Sequence, residues 1–217
     1  MMHRFEVVYA LDTTLACAVA TYLDAEHYAF LHGKYSPRYE VIAQAGRTIR
    51  IAQSWRFNGM RVGQTLTTEY VPPGQFLNYD IAGLPAWLPS IHHLVKSKTE
   101  LFYYPDDSGR RTISHLVVEL EASSILKPLL SKLEANLTAL KKEKDLEDME
   151  MIFRRERLFG RGNIRGYLAD HQFMLHKDAF VQHFGNSEAE RRAAELSLAA
   201  APPSARRSGV VELGVGP

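Results

Sequence analysis

The sequence predicts an α+β fold in which a strongly curved antiparallel β-sheet wraps around a long C-terminal α-helix. Three observations predict it. A strand and a helical region open the chain, residues 38–121 alternate between apolar and polar side chains, and an amphipathic segment follows residue 122. Because the apolar faces of the sheet and of the helix must both be buried, we expect them to enclose an apolar space.

The N-terminal region contains the first strand and the first helical segment. Residues 3–10 alternate with a period of two, which is typical of a strand. Residues 12–14, Asp-Thr-Thr, are of the types that cap helices, and residues 15–31 have a helical composition. We therefore expect two short helices after the first strand, with Gly33 at their end.

The middle of the chain is predicted to form antiparallel strands joined by tight turns. Asn58-Gly59 favours a type I′ hairpin turn, and residues 72–74 and 105–109 are further turn segments. Residues 82–95 are predicted to form a loop or a short lid. The strands are predicted at residues 39–45, 48–57, 60–71, 76–81, 96–104 and 110–121.

The last major helix is predicted to begin near residue 123 and to end at about Phe159. Leucines at helical spacing give it one apolar face, whereas the charged residues 141–148 are predicted to be a solvated stretch. The leucines of this face are Leu126, Leu129, Leu130, Leu133, Leu137 and Leu140.

The chain is predicted to divide into three regions. Residues 1–160 form one ligand-cavity domain, and residues 161–186 form an appendix that packs on this domain or on a partner. Residues 187–217 are expected to be a largely disordered tail, because Ala, Ser, Arg and Pro dominate its sequence. Apolar residues of the appendix, such as Phe180 and Phe184, must be buried somewhere, which is compatible with a homodimer.

Composition excludes several classes of function. The formal net charge is +1, so we expect no nucleic-acid partner. No run of apolar residues reaches the length of a membrane span, and the N-terminus lacks the apolar core of a signal peptide. The one cysteine, Cys17, cannot form an intramolecular disulfide, which favours a reducing, cytoplasmic location. No catalytic residue is assigned from these data.

The segment Asp24-Ala-Glu-His27-Tyr-Ala-Phe-Leu-His32 combines two imidazoles with a carboxylate at the end of the first helical region. Asp24 and His27 share one helix face, but His27 and His32 are separated by about 140° on an ideal helix. They converge only if the helix breaks between them. In that case they suit a metal, with Asp24 accepting a histidine N–H; otherwise they are partly buried polar residues at a helix end.

Aromatic residues on the predicted strands supply either core packing or the lining of a ligand cavity, and in this architecture one residue can do both. His115 adds a polar group to the cavity if its strand register points it inward. The residues predicted to line the cavity are Trp55, Phe57, Tyr70, Tyr79, Trp87, Phe102, Tyr104 and His115.

The order of elements over residues 3–159 resembles the helix-grip domains of the START-like, or Bet v 1-like (SRPBCC), superfamily. The resemblance implies an internal cavity for a hydrophobic small molecule, such as a lipid or an aromatic or polyketide-like compound. This is our leading hypothesis for the function.

Asp24, His27 and His32 also match the Asp-x2-His-x4-His motif of the catalytic domains of Rieske-type ring-hydroxylating oxygenases, in spacing and in topological position. This resemblance implies that His27 and His32 bind mononuclear non-haem Fe(II), with Asp148 or Glu147 as the third ligand. The chain has no Rieske cluster domain, so an oxygenase would need a partner that donates electrons. The alternative hypothesis is therefore an iron oxygenase-like enzyme or an inactive relative, and a third is an interaction module.

Overall fold

The computed structural model describes residues 1–33, 38–57, 60–84, 95–171, 174–206 and 211–212. The strands are β1 (Met2–Leu11), β2 (Arg38–Ala45), β3 (Thr48–Phe57), β4 (Met60–Val71), β5 (Gln75–Leu84), β6 (Val95–Pro105), β7 (Thr112–Ala122) and β8 (Val211–Glu212). The α-helices are α1 (Leu15–Leu23), α2 (Ala25–Phe30), α3 (Lys127–Phe159), α4 (Ile164–Asp170), α5 (Lys177–Phe184) and α6 (Ser187–Ala200).

One eight-stranded sheet, in the order β2-β3-β4-β5-β6-β7-β1-β8, forms the frame of the molecule. All neighbouring strands are antiparallel except β1 and β8, and β1 pairs along its length with β7. The register shifts in β2 between Val41 and Ala43 and in β4 between Thr65 and Thr67. Such irregularities increase local bending, which lets the sheet wrap around a helix. The predicted α+β helix-grip fold is confirmed.

The helical region after β1 breaks at Asp24. The Thr14 hydroxyl caps α1 by accepting from the Cys17 amide, and Cys17 is buried in this helix. Asp24 has extended backbone angles, so it ends α1 and at the same time caps α2 with its carboxylate. The first helical region therefore forms two short helices, and the second one, α2, ends at Phe30.

The helix α3 is 33 residues long and lies across the concave face of the sheet. Leu130, Met149 and Ile152 are buried in the main core, which also contains residues of α1, β1 and β7. Among the described residues, no helix combines the length and the apolar composition that crossing a membrane requires.

The C-terminal region is more ordered than predicted. Residues 187–200, expected to belong to a largely disordered tail, form α6, because the Asn186 side chain caps it by accepting from the Ala189 amide. Its residue Ala193 is fully buried in the main core. The appendix also packs on the domain, since Phe180 and Phe184 are buried in that same core. Phe180 and Phe184 are therefore buried within the chain itself, whereas Val181 of the same helix is 41% exposed.

Candidate functional site

A cavity of about 360 Å³ lies between the concave face of the sheet and α3. Its volume falls within the range of small-molecule pockets, roughly 300–1,000 Å³. Its wall is mostly apolar, and the apolar contributors from the sheet and from α3 include Ile49, Ile51, Leu66, Phe76, Leu116, Val118, Leu120, Leu133, Leu137 and Leu140.

A short row of polar side chains crosses the sheet side of this cavity. The Thr68 hydroxyl donates to Asn78 Oδ1 at 2.7 Å, and Asn78 Nδ2 donates to the Thr99 hydroxyl at 3.0 Å. The hydroxyl of Tyr22 lies 3.4 Å from Asn78 Nδ2. The hydroxyl groups of this row can orient a ligand, since a hydroxyl that donates one hydrogen bond can still accept another, and one that accepts can still donate.

Several residues predicted to line the cavity lie elsewhere. Phe102 and Tyr104 belong to a second apolar cluster on the opposite face of the sheet, and the His115 ring lies beside both of them. Tyr79, next to the cavity residue Asn78 on β5, does not line the cavity either. Neighbouring residues on a strand point to opposite faces, and β6 and β7 are buried on both, so aromatic content did not reveal the cavity face.

Of the other four residues predicted to line the cavity, one lies in its wall and three have side chains outside the described part of the structure. Tyr70 lines the cavity and stacks on Phe76, with 5.0 Å between the ring centres. Trp55 and Phe57 lie on β3, but their side chains are outside the described part of the structure, as is Trp87 as a whole.

His115 is instead part of a buried polar cluster on the outer face. Its Nε2 lies 2.9 Å from Glu6 Oε2, and its Nδ1 lies 3.1 Å from the Tyr104 hydroxyl. Burial lowers the pKa of His115, although Glu6 opposes that shift. These contacts satisfy the polar atoms of a residue that is fully buried, which gives His115 a structural role in this face.

A second polar site brings together three predicted residues. Nε2 of His27 lies 3.6 Å from Asp148 Oδ1, and Nε2 of His32 lies 3.1 Å from the same oxygen. One ligand atom from each of the three residues falls within 4.8 Å of the other two. The end of a helix makes this possible: α2 ends at Phe30, so His32 follows the helix rather than continuing it.

Each histidine is oriented through its other ring nitrogen. His27 Nδ1 lies 2.6 Å from the Asp24 main-chain carbonyl, and His32 Nδ1 lies 3.0 Å from Glu147 Oε2. With a metal ion bound, a proton on each Nδ1 would satisfy both acceptors and leave both Nε2 lone pairs to act as ligands. Metal-binding histidines are held in the same way.

The electrostatics of this site also fit a cation. His27 Nε2 is buried and has no hydrogen-bond partner among the described residues. Burial lowers the pKa of His27 to about 4, so its imidazole is neutral at pH 7. Burial acts to raise the pKa of Asp148, but the hydrogen bond from His32 and the nearby His27 lower it overall. Two imidazoles and one carboxylate are a donor set that suits Fe(II) or Zn²⁺.

Asp24 acts differently from the prediction. Its carboxylate contacts neither the His27 ring nor the His32 ring: Oδ1 accepts from the main-chain amides of Glu26 and His27, at 3.0 and 3.3 Å. Oδ2 accepts from Arg155 Nη2 at 2.9 Å and lies 3.4 Å from His171 Nε2. The acceptor for the His27 ring is the main-chain carbonyl of Asp24, so the side chain positions the site only indirectly.

This cluster adjoins the cavity. The ring of Tyr28, which lines the cavity, lies 4.0 Å from the His27 ring and 5.6 Å from the His32 ring, measured between centres. Tyr28 in turn stacks on Tyr39, another lining residue, at 4.5 Å. A molecule in the cavity therefore lies beside the two histidines, separated from them in part by one aromatic ring.

Charged residues of α3 also reach the cavity, although residues 141–148 were predicted to be a solvated stretch. Lys141 and Lys144 line the cavity, and Asp145 is buried and bonded to Lys141. Burial lowers the pKa of Lys144 to about 7. The spacing holds a signal for this: Leu133, Leu137, Leu140, Lys144 and Asp148 follow one another at intervals of three or four residues, which places them on one face.

No family model and no curated protein matches the chain. Solved structures do. The ZhuI aromatase/cyclase from Streptomyces sp. R1128 matches with a TM-score of 0.57 and 12% identity over 71% of this chain and 96% of that one. The chain has the START-like, Bet v 1-like fold. A START superfamily protein from Mycobacterium smegmatis matches with a TM-score of 0.52 and 16% identity, over 67% and 94% of the two chains.

A norcoclaurine synthase from Thalictrum flavum, in complex with dopamine and hydroxybenzaldehyde, matches this chain with a TM-score of 0.52 and 9% identity. The match covers 71% of this chain and 88% of the synthase. At such identities the likeness concerns the fold. It confirms the fold that the order of elements predicted for residues 3–159.

Proposed function

We propose that this START-like protein binds a hydrophobic small molecule in the cavity between the sheet and α3. The observation that carries the proposal is the cavity itself, about 360 Å³ of mostly apolar-lined space. Burying an apolar ligand there removes its surface from water, which contributes roughly 25 cal/mol for each Å². The polar row at Thr68, Asn78 and Thr99 would orient a ligand that carries a hydroxyl or carbonyl group.

The cavity wall contains two stacked aromatic pairs, Tyr28 with Tyr39 and Tyr70 with Phe76. They favour an aromatic or polyketide-like ligand over a purely aliphatic lipid, because aromatic rings pack well on one another. Two structural neighbours are in keeping with this: one is an aromatase/cyclase, and another holds dopamine and hydroxybenzaldehyde. Those ligands belong to the neighbouring proteins and suggest only a chemical class of ligand.

The test is titration with a neutral fluorescent probe, N-phenyl-1-naphthylamine, combined with mass spectrometry of compounds that co-purify with the protein. Leu137→Trp, which fills the cavity from α3, should abolish most of the probe binding. Leu158→Trp places the same side chain on the same helix at a position that is 78% exposed, and should bind like wild type. Equal binding by both variants would contradict a ligand site in this cavity.

A second function is favoured by the His27, His32 and Asp148 cluster. We infer that these residues bind a divalent metal ion, because a buried nitrogen without a partner points at a carboxylate that the second imidazole also contacts. As Fe(II), such an ion supplies oxygen-activating redox chemistry. The single cysteine excludes a Rieske cluster within the chain, so an oxygenase would depend on a partner that donates electrons.

Elemental analysis of protein purified without an affinity tag, after anaerobic addition of Fe(II) or addition of Zn²⁺, tests the metal site. We expect close to one ion per chain in wild type and none in His27→Ala or His32→Ala. His3→Ala is the matched control, since His3 also contacts a carboxylate, Glu134, but at the surface. Equal metal content in all four proteins would contradict the site.

We propose a cytoplasmic location, because the single cysteine is buried and cannot form an intramolecular disulfide. Such cysteine usage is typical of proteins in reducing compartments. Fractionation of the native host cell with compartment markers tests this location. Recovery of the protein outside the cytoplasm would contradict it.

A further inference from the structure

The polar row of the cavity lies across three strands and ends on both sides in an apolar residue. Thr68, Asn78 and Thr99 are direct neighbours in the sheet, on β4, β5 and β6. Beyond them, Thr68 pairs with Ile49 and Thr99 pairs with Val118. All five residues line the cavity, so a ligand that packs on this part of the sheet meets a polar stretch of limited length.

The amide of Asn78 has little hydrogen-bonding capacity left for a ligand, because an amide can accept two hydrogen bonds and donate two. Its Oδ1 accepts from the Thr68 hydroxyl at 2.7 Å and lies 3.5 Å from the Tyr22 hydroxyl. Its Nδ2 donates to the Thr99 hydroxyl at 3.0 Å and lies 3.4 Å from the same Tyr22 hydroxyl. The groups of the row that a ligand can use are therefore the two threonine hydroxyls at its ends.

The two threonines offer a ligand different partners. A hydroxyl has one hydrogen, and Thr68 donates its hydrogen to Asn78, so the Thr68 oxygen remains as an acceptor. Thr99 accepts from Asn78 and keeps its own hydrogen, for which no acceptor is found among the described residues. Turning the amide over would exchange these roles, but it would still leave one donor and one acceptor.

We propose that the ligand of this cavity is an aromatic molecule that carries a hydroxyl and a carbonyl group on opposite sides of its ring system. The carbonyl oxygen accepts from Thr99 and the hydroxyl donates to Thr68, so the ring system lies along the row, across the strands. The main chains of the two threonines are two strand spacings apart, roughly 9–10 Å, which suits about two fused rings with their substituents. The inference rests on the proposed cavity function and adds the chemistry of the ligand.

The apolar wall around the row makes both groups important. A ligand that displaces water from the row without replacing its hydrogen bonds leaves a threonine hydroxyl unpaired, and an unpaired buried group costs more than a made hydrogen bond contributes. A site that contains such groups therefore discriminates against ligands that lack the matching one.

The experiment titrates the full chain with three probes that share one naphthalene ring system. The compound 6-acetyl-2-naphthol carries both groups, 2-acetylnaphthalene lacks the hydroxyl, and 6-ethyl-2-naphthol lacks the carbonyl. Wild type should bind the first probe about 3- to 10-fold more tightly than either of the others, the value of one hydrogen bond. Leu137→Trp, which fills the cavity, should abolish most of the binding of all three.

Two isosteric variants test the two ends of the row. Thr99→Val should weaken binding of the two carbonyl probes about 3- to 10-fold and change binding of 6-ethyl-2-naphthol less than about twofold. Thr68→Val should weaken binding of the two hydroxyl probes by a similar factor and leave that of 2-acetylnaphthalene unchanged. Thr67→Val is the matched control, since Thr67 lies on the same strand but does not line the cavity. Thr99→Ser keeps the hydroxyl and should keep the wild-type preferences.

The pattern across variants and probes decides the outcome, and Thr99→Ala replaces Thr99→Val if the latter fails to fold by circular dichroism. The reverse pairing of variants and probes would mean that the Asn78 amide is turned over, and it would support the same class of ligand. Equal binding of the three probes by wild type, or variants that weaken all three alike, would overturn the inference and leave the cavity function intact. Failure of the three probes and of N-phenyl-1-naphthylamine to bind would overturn the cavity function, and this inference with it.

Discussion

His32 and Asp148 face each other at 3.1 Å, between imidazole Nε2 and carboxylate Oδ1, although one follows the first helices and the other lies on α3. The contact exists because α2 ends before His32 and because α3 crosses the concave face of the sheet. Glu147, the neighbour of Asp148, holds the other nitrogen of the same ring. Two consecutive carboxylates on one helix thus contact the two ring nitrogens of one imidazole.

The first prediction concerns Glu147. Glu147→Gln should lower metal affinity about 10- to 100-fold, because the amide orients the His32 ring less firmly and makes its Nε2 a poorer ligand. A competition titration with a fluorescent zinc chelator measures this. Glu150→Gln is the control, since Glu150 pairs with Arg154 on the exposed side of the same helix. Equal affinities in the two variants would mean that the Glu147 contact does not tune the site.

The second prediction concerns Arg155, which balances the fully buried carboxylate of Asp24. Arg155→Met should lower the free energy of unfolding by about 3–5 kcal/mol, because breaking a buried pair leaves one charge uncompensated. Urea denaturation measures the change. Arg154→Met, one residue away in an exposed pair, should cost less than about 1 kcal/mol. Similar losses in both variants would indicate that His171 alone compensates Asp24.

The sequence predicted the fold well because strands, turns and the leucine stripe leave local patterns. The approach of His27 to His32 was also within reach, because the two rings converge only where the helix ends between them, and α2 ends at Phe30. The cavity lining was harder to predict. Both faces of β6 and β7 are buried, so the strands show no alternation of apolar and polar residues that would identify the inner face. Leu101 faces the main core, whereas its neighbour Phe102 faces outward.

Other errors had a different origin. Lys141 and Asp145 predict solvated surface, because charge normally indicates exposure. In the structure the two compensate each other inside the domain. The helix α6 was missed because its alanines and arginines suggested a disordered tail. Its burial depends on tertiary contacts with the main core, which a local composition does not reveal.

The third prediction concerns the appendix. Phe180 is fully buried in the main core, so Phe180→Ala should lower the free energy of unfolding by about 3–5 kcal/mol through the lost contacts and the cavity left behind. Val181→Ala, at a neighbouring position that is 41% exposed, should change it by less than about 0.5 kcal/mol. Urea denaturation compares the two. A small effect of Phe180→Ala would mean that the appendix unfolds separately from the domain.

The last prediction concerns pH and the metal-free protein. Burial lowers the pKa of His27 from 6.5 to about 4, so between these values the unfolded chain binds a proton that the folded chain does not. The free energy of unfolding should therefore fall as the pH drops from 6.5 towards 4, and His27 should account for up to roughly 3 kcal/mol of that loss. His27→Gln cannot take up this proton, so its stability should change less steeply over the same range. Chelator-treated proteins unfolded in urea at several pH values provide the comparison. Equal slopes for wild type and His27→Gln would show that the buried imidazole is protonated as readily in the folded protein as in the unfolded chain. Because a proton and a metal ion compete for the same nitrogen, such a site would bind a metal ion weakly at mildly acidic pH.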